Sequence, residues 1–290
     1  MVKILITGGA GFVGSHLCEA LSRDQSNEIT VLDNYSTGLE ENHIDGVNYI
    51  KGDTKDIDNL VKVSPDIVYH LGEYSRVEQS FEDIELVSQS NMIGTFQVLL
   101  FCRKHGSKLI YAGSSTKFGD NGQGRNQSPY GWSKASNVDL VQNFGKWYGM
   151  KYAITYFYNV YGKREISTGK YATLIALFAE KYKKGLPLTV VSPGSQVRNF
   201  THVDDIVSGI IRVGLDGRGD GYGIGSDESF SILEIANMFG GEIEMLPERP
   251  GNRMFADLHV EKVKELNWKA KHSIVDFIEE IKQSHKGNLV

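Results

Sequence analysis

Residues 3–14 read Lys3-Ile4-Leu5-Ile6-Thr7-Gly8-Gly9-Ala10-Gly11-Phe12-Val13-Gly14, and this stretch decides the fold. A short apolar run ending in glycines is the pattern of a buried parallel strand. Directly after it, Val13, Leu17, Ala20 and Leu21 recur at helical spacing, which predicts a helix over 12–23. The glycines between have separate uses. Gly8 permits a tight turn, Gly11 lets a pyrophosphate approach the backbone, and Gly14 lets helix and strand pack closely. The helix N-terminus adds free N–H groups and the positive end of its dipole. A plain glycine-rich turn has the same composition, so a second signal is needed. Asp33 supplies it, 19 residues after Gly14, at the end of a second strand over 28–32. A carboxylate at that spacing accepts hydrogen bonds from the adenosine ribose of a dinucleotide. It also repels a 2′-phosphate, which favours NAD over NADP. Asp53, in the Gly-Asp-Thr after a third strand, is a weaker candidate to face the adenine.

Working outward, the pattern predicts strands at 47–51, 66–71, 108–113 and 152–158, with long helices over about 83–104 and 130–148. Strands alternating with helices of that length mean a parallel sheet covered on both faces. After Gly162 the rhythm changes to a helix at 171–184 and shorter ones at 231–239, 258–266 and 273–284. The expected fold is α/β, a Rossmann-type doubly wound parallel sheet with a smaller C-terminal substrate lobe. Residues 1–162 form the NAD-binding domain and 163–290 mainly the substrate lobe, with about 199–216 returning to the first domain.

Composition narrows the function. Of 290 residues, 40% are apolar and 23% charged, which rules out wholesale disorder. Glycine stands at 32 and proline at six, so the glycines serve turns and close contacts rather than a flexible tail. The net charge of −5 carries no long block of one sign, which argues against nucleic acid or a membrane surface as the main partner. Cys18 and Cys102 are too few for a disulfide framework and fit a reducing, cytoplasmic compartment. The first apolar run is too short for a signal peptide or a membrane span. His70 and His202 have no sequence neighbours at metal-ligand spacing, so no metal is expected.

The chemistry is suggested by Tyr130 and Lys134, four residues apart and therefore on one helix face. A phenol is a poor base at neutral pH, and a nearby ammonium favours its ionised form. Such a phenol can take a proton from a sugar hydroxyl while hydride leaves the same carbon. Lys134 is also placed to hydrogen-bond the nicotinamide ribose. The strand at 108–113 ends in Gly-Ser114-Ser115-Thr116, and the carboxyl ends of parallel strands are where such sheets meet their ligands. Ser114 is the candidate to polarise the reacting oxygen.

Taken with Val31-Leu-Asp-Asn34, His70-Leu71, Asn91 with Gly94-Thr95, Tyr158-Asn-Val-Tyr-Gly162, Arg198-Asn-Phe-Thr-His-Val-Asp-Asp205, Glu248-Arg-Pro-Gly251 and Leu266-Asn-Trp268, these residues give the chain a resemblance. It resembles the extended short-chain dehydrogenase/reductases, and within them the NAD-dependent nucleotide-sugar epimerase/dehydratase group, most of all the UDP-glucose 4-epimerases. The resemblance implies NAD as cofactor, a nucleoside-diphosphate sugar as partner, and a homodimer joined through the helices near 85–104 and 130–148. It implies an NAD site lined by Gly8, Gly11, Phe12, Val13, Asp33, Asn34, Asp53, Thr54, Leu71, Gly72, Asn91, Tyr130 and Lys134. It puts Ser75, Arg76, Ser114, Asn159, Arg198 and Arg249 toward the substrate, and Ser114, Tyr130 and Lys134 at the reaction.

The expected activity is epimerisation of a nucleoside-diphosphate hexose at C4 through a transient 4-keto sugar. The alternatives are a C4 oxidoreductase of such sugars and a non-catalytic NAD-binding regulator. Two departures from the family pattern bear on this. Gly72-Glu73-Tyr74 replaces a small pair, so Glu73 is either a substrate or base contact or a loop carboxylate turned to solvent. The stretch Phe118–Pro129 is short and rich in Gly, Asn and Gln. In the dehydratases of the resembling family an Asp-Glu pair follows the catalytic hydroxyl residue, and its decarboxylases keep a Glu there. Here Ser115 and Thr116 hold those positions, so neither reaction is expected.

Overall fold

The structure is a computed structural model that describes residues 1–248, 254–255 and 257–287. Six strands follow the expected rhythm: β1 Val2–Thr7, β2 Asn27–Asp33, β3 Asn48–Lys51, β4 Ile67–His70, β5 Lys108–Ser114 and β6 Tyr152–Phe157. All pair in parallel, with β1 between β2 and β4. The direction of strand order reverses there, which opens a crevice at the carboxyl ends of β1 and β4. A seventh strand, Gly219–Ile224, lies parallel beside β6 and closes that edge of the sheet. Its glycine-rich sequence, Gly-Asp-Gly-Tyr-Gly-Ile, hides it from a periodicity reading.

One sheet face packs against helix α1 (Phe12–Ser22) and the helix Val203–Asp216, in a core that includes Ile4, Ile6, Leu17, Val31, Ile206 and Ile210. The other face packs against the helices before and after β5, around Leu5, Val68, Val98, Leu109, Val138 and Ile154. The helix expected over 83–104 is present but not regular. It runs as Ile84–Val87, a π-helical stretch Ser88–Gly94, and Thr95–His105. The wide turn coincides with Gly94, where a Cβ would collide with the Thr54 hydroxyl oxygen. A third core of Tyr161, Ile175, Phe178, Leu188, Ile235, Phe239 and Ile278 builds the smaller lobe. Among the described residues, no helix is long and apolar enough to cross a membrane.

Candidate functional site

A cavity of about 540 Å³ runs along the carboxyl ends of the strands between the sheet and the smaller lobe. Close backbone approach shapes the glycine loop on its wall. Gly8 has φ +73°, and a Cβ there would stand 2.8 Å from the backbone of Gly72. A Cβ on Gly14 would collide with the Gly8 carbonyl oxygen. Gly11 is the N-cap of α1, with no side chain capping the helix and no acidic residue in its first turn. The first N–H groups of α1 are thus left for an anion. Asp33, at the end of β2, accepts from the N–H groups of Ala10 (2.9 Å) and Tyr35 (2.8 Å), which fixes its carboxylate on the cavity wall. An uncapped helix N-terminus, a cradle that any Cβ would fill, and a carboxylate on the neighbouring strand together fit NAD.

Gly8, Gly11, Phe12, Val13, Asp33 and Asn34 all line this cavity, as do Thr54, Leu71 and Gly72. Two residues expected there do not. Asp53 sits behind Asn34, whose amide donates to it at 2.8 Å. Asn91 is wholly buried. Its side chain accepts from the Tyr74 N–H (2.7 Å) and donates to the Tyr74 carbonyl and the Ser133 hydroxyl, so it braces the loop after β4.

The helix Pro129–Tyr148 begins where the sequence allows it to. The Ser128 hydroxyl accepts from the Gly131 N–H, and Pro129 occupies the first turn. Tyr130 therefore falls in the first turn and Lys134 one turn on, and both line the cavity. Ser114 ends β5 on the same cavity, its hydroxyl oxygen accepting from the Thr116 N–H (3.3 Å) and hydroxyl (2.9 Å). Among the described residues the Tyr130 hydroxyl makes no hydrogen bond, so it is open to a ligand.

Lys134 is held in a way the sequence did not reveal. Its ammonium donates to the Glu73 carboxylate and the Ala112 carbonyl, with 7% of the Lys134 and 2% of the Glu73 side chain exposed. Glu73 is thus neither a loop carboxylate turned to solvent nor an unengaged base. Its second oxygen accepts from the Thr95 hydroxyl (3.1 Å), the Tyr111 phenol (3.0 Å) and the Asn137 amide (2.9 Å). The four donors come from one strand and two helices far from Glu73 in the chain, so no local pattern announces them. The network also fixes His70. Because Thr95 gives its proton to Glu73, His70 Nε2 must donate to the Thr95 oxygen (2.9 Å), and Nδ1 accepts from Thr7 (2.7 Å). That is the neutral ring, and burial pushes the His70 pKa down to about 4.

On the smaller-lobe side, Ser75, Arg76, Asn159 and Arg198 line the cavity. Arg249 lies outside the described residues. Glu165 was not anticipated. It lines the cavity, accepts from the Gly162 N–H (2.9 Å) through Oε2, and has a buried Oε1 without a partner among the described residues. Burial raises its pKa to about 7. His202 has neighbours in the fold that its sequence surroundings do not show. The fold brings it within ligand distance of Asp204 and His272, with all three ligand atoms inside 4.8 Å. His272 is 70 residues away in the chain, so sequence spacing could not show this. His202 Nδ1 already accepts from the Asp204 N–H, capping the helix Val203–Asp216.

Comparison with known proteins agrees with this geometry. Residues 4–225 match the NAD dependent epimerase/dehydratase family. A putative UDP-glucose 4-epimerase of Methanocaldococcus jannaschii is 28% identical, over 98% of this chain and 99% of that protein. UDP-glucuronic acid decarboxylase 3 of Arabidopsis thaliana is 28% identical, over 93% of this chain and 85% of that one. The crystal structure of Thermus thermophilus UDP-glucose 4-epimerase in complex with NAD superposes with a TM-score of 0.88 at 28% identity, over 98% and 99% of the two chains. The chain belongs to the NAD dependent epimerase/dehydratase family, and its cofactor is NAD.

Proposed function

We propose that this enzyme interconverts nucleoside-diphosphate hexoses epimeric at C4, through a transient 4-keto sugar. The observation that carries the reading is the convergence of the glycine loop, Ser114 and the unpartnered Tyr130 hydroxyl on one cavity. Bound NAD supplies the acceptor and donor of a hydride at the sugar carbon. Ser114 orients the reacting oxygen, and Tyr130 takes and returns its proton. Lys134, anchored by Glu73, stands one helical turn from Tyr130 and holds positive charge beside it. Arg198 and Asn159 receive the substrate diphosphate, Arg198 through a guanidinium suited to phosphate oxygens. Arg249 joins them on the family pattern.

The test is incubation with UDP-glucose, UDP-galactose and their N-acetyl forms. Interconversion without net NADH supports an epimerase, and stoichiometric NADH supports the oxidoreductase instead. Asp33→Ala should weaken NAD binding and relax discrimination against NADP, because the ribose acceptor and the repulsive charge disappear together. Titration with both cofactors measures this, and an unchanged preference removes Asp33 from that role.

The same site argues against 4,6-dehydration and loss of C6. Dehydration needs an acid for the leaving hydroxyl and a base for the C5 proton. Ser115 and Thr116 offer only hydroxyls, the Glu73 carboxylate is committed to four donors, and Glu165 is a single carboxyl where an acid and a base are both needed. No 4-keto-6-deoxy sugar should form from UDP-, dTDP-, GDP- or CDP-hexose, and its detection by NMR would overturn the epimerase assignment. Exposed Ile93, Phe96, Trp132, Trp147 and Tyr148, on the two helices flanking β5, support a homodimer through that face. The free, buried Cys18 and Cys102 suit a reducing, cytoplasmic setting.

A further inference from the structure

The ammonium one turn from Tyr130 does not act alone. Glu73 and Lys134 form an ion pair inside the cavity wall, both side chains almost wholly buried. Among the described residues, the other hydrogen-bond partners of the carboxylate are neutral: the Thr95 hydroxyl, the Tyr111 phenol and the Asn137 amide. Burial and the Glu73 charge hold the Tyr111 pKa well above its usual value, so the phenol keeps its proton. His70, which shares Thr95 with Glu73, is the neutral ring. The net charge of this wall is therefore set by two side chains that cancel.

The redox end of the cofactor lies against that wall. The glycine loop follows β1, and Ser114 ends β5, with β4 between them in the sheet. A dinucleotide whose pyrophosphate sits on the glycine loop must cross the carboxyl end of β4 to bring its nicotinamide to a sugar carbon at Ser114 and Tyr130. Leu71, Gly72 and Glu73 follow β4 there and line the cavity.

Oxidised nicotinamide carries a positive charge that the reduced ring lacks. A lone ammonium beside it favours the reduced ring, and a carboxylate paired with that ammonium removes the bias. We propose that Glu73 is a positioning residue that sets the redox balance of bound NAD: by cancelling the charge of Lys134, it keeps the resting cofactor oxidised. Lys134 then serves Tyr130 and the ribose without driving the cofactor to its reduced form. The advantage is chemical. An epimerase returns each hydride to the sugar and draws on no outside oxidant, so a cofactor that rests reduced cannot begin a cycle. The inference itself rests on NAD as cofactor, and not on which sugar is turned over.

Holoenzyme is equilibrated without sugar in mixtures of NAD⁺ and NADH of known ratio, and the retained nucleotide is separated and identified. This gives the ratio of the two dissociation constants. Glu73→Gln keeps the shape and one acceptor oxygen but not the charge. It should raise Kd for NAD⁺ relative to that for NADH by at least about tenfold, the scale of one partly screened charge interaction. For a two-electron couple, tenfold is a potential about 30 mV more positive. Glu73→Asp, which keeps the charge, should restore most of the wild-type ratio. Lys134→Met leaves the carboxylate alone and should shift the ratio the other way, toward NAD⁺. An unchanged ratio in Glu73→Gln overturns the inference. So does an equal weakening for both nucleotides, which makes Glu73 a brace of the fold and nothing more. If Glu73→Gln does not fold, Lys134→Met decides, and a ratio unmoved or shifted toward NADH overturns the inference. No sugar enters this measurement, so its failure leaves the epimerase reading standing, and failure of sugar turnover leaves the redox assignment to be judged on the ratio alone.

Discussion

Tyr130→Phe should retain the fold and the cofactor while losing turnover by at least ~10²-fold, the scale of a general acid–base group. The expectation is unusually clean because of what the hydroxyl does not do in the folded chain. Among the described residues it has no hydrogen-bond partner, so its removal strands no buried donor or acceptor. The ring stays on the helix Pro129–Tyr148, whose start is set by Ser128 and Pro129 rather than by Tyr130. Thermal unfolding should therefore move by no more than a degree or two, and NAD titration should be near that of the wild type. The kcat for sugar interconversion should collapse. Near-normal activity would remove Tyr130 from the mechanism. A large drop in melting temperature would mean that lost activity reports lost structure instead.

The parts of this site that repeat along the chain were legible from sequence. Gly8, Gly11, Gly14 and Asp33 belong to one strand–helix–strand unit, so their spacing alone fixes where they meet. Tyr130 and Lys134 share a helix face for the same reason. The parts assembled from distant segments were not legible. Glu73 meets Thr95, Tyr111, Lys134 and Asn137 only after β4 and β5 pair and the two helices dock. Asn91 belongs to the expected motif, yet the π-helical stretch Ser88–Gly94 turns it inward to Tyr74 and Ser133. The strand Gly219–Ile224 escaped notice because its glycines supply no alternation. It is set by pairing with β6, a tertiary contact, rather than by its own side chains.

Glu73→Ala should cost the most stability of any single change at the site. The substitution removes one carboxylate and leaves four donors facing the space it occupied. The Lys134 ammonium keeps only the Ala112 carbonyl, at 7% exposure. The Tyr111 phenol, whose pKa burial and the Glu73 charge hold above the ordinary range, loses its acceptor. Breaking one side of a buried ion pair typically costs about 3–5 kcal/mol, because the surviving charge is left uncompensated. At roughly 2–4 °C per kcal/mol for a chain of this size, that is a fall of about 10 °C in melting temperature. Glu73→Gln should cost less, since it retains the shape and one acceptor oxygen. The double variant Glu73→Ala/Lys134→Met should be more stable than Glu73→Ala alone, because the stranded charge goes with its partner. Denaturant unfolding of the wild type, Glu73→Ala, Lys134→Met and the double variant measures the coupling. If Glu73→Ala unfolds within about 0.5 kcal/mol of the wild type, the range of ordinary surface changes, the pair is not formed. Lys134 would then be free to act on Tyr130 without it.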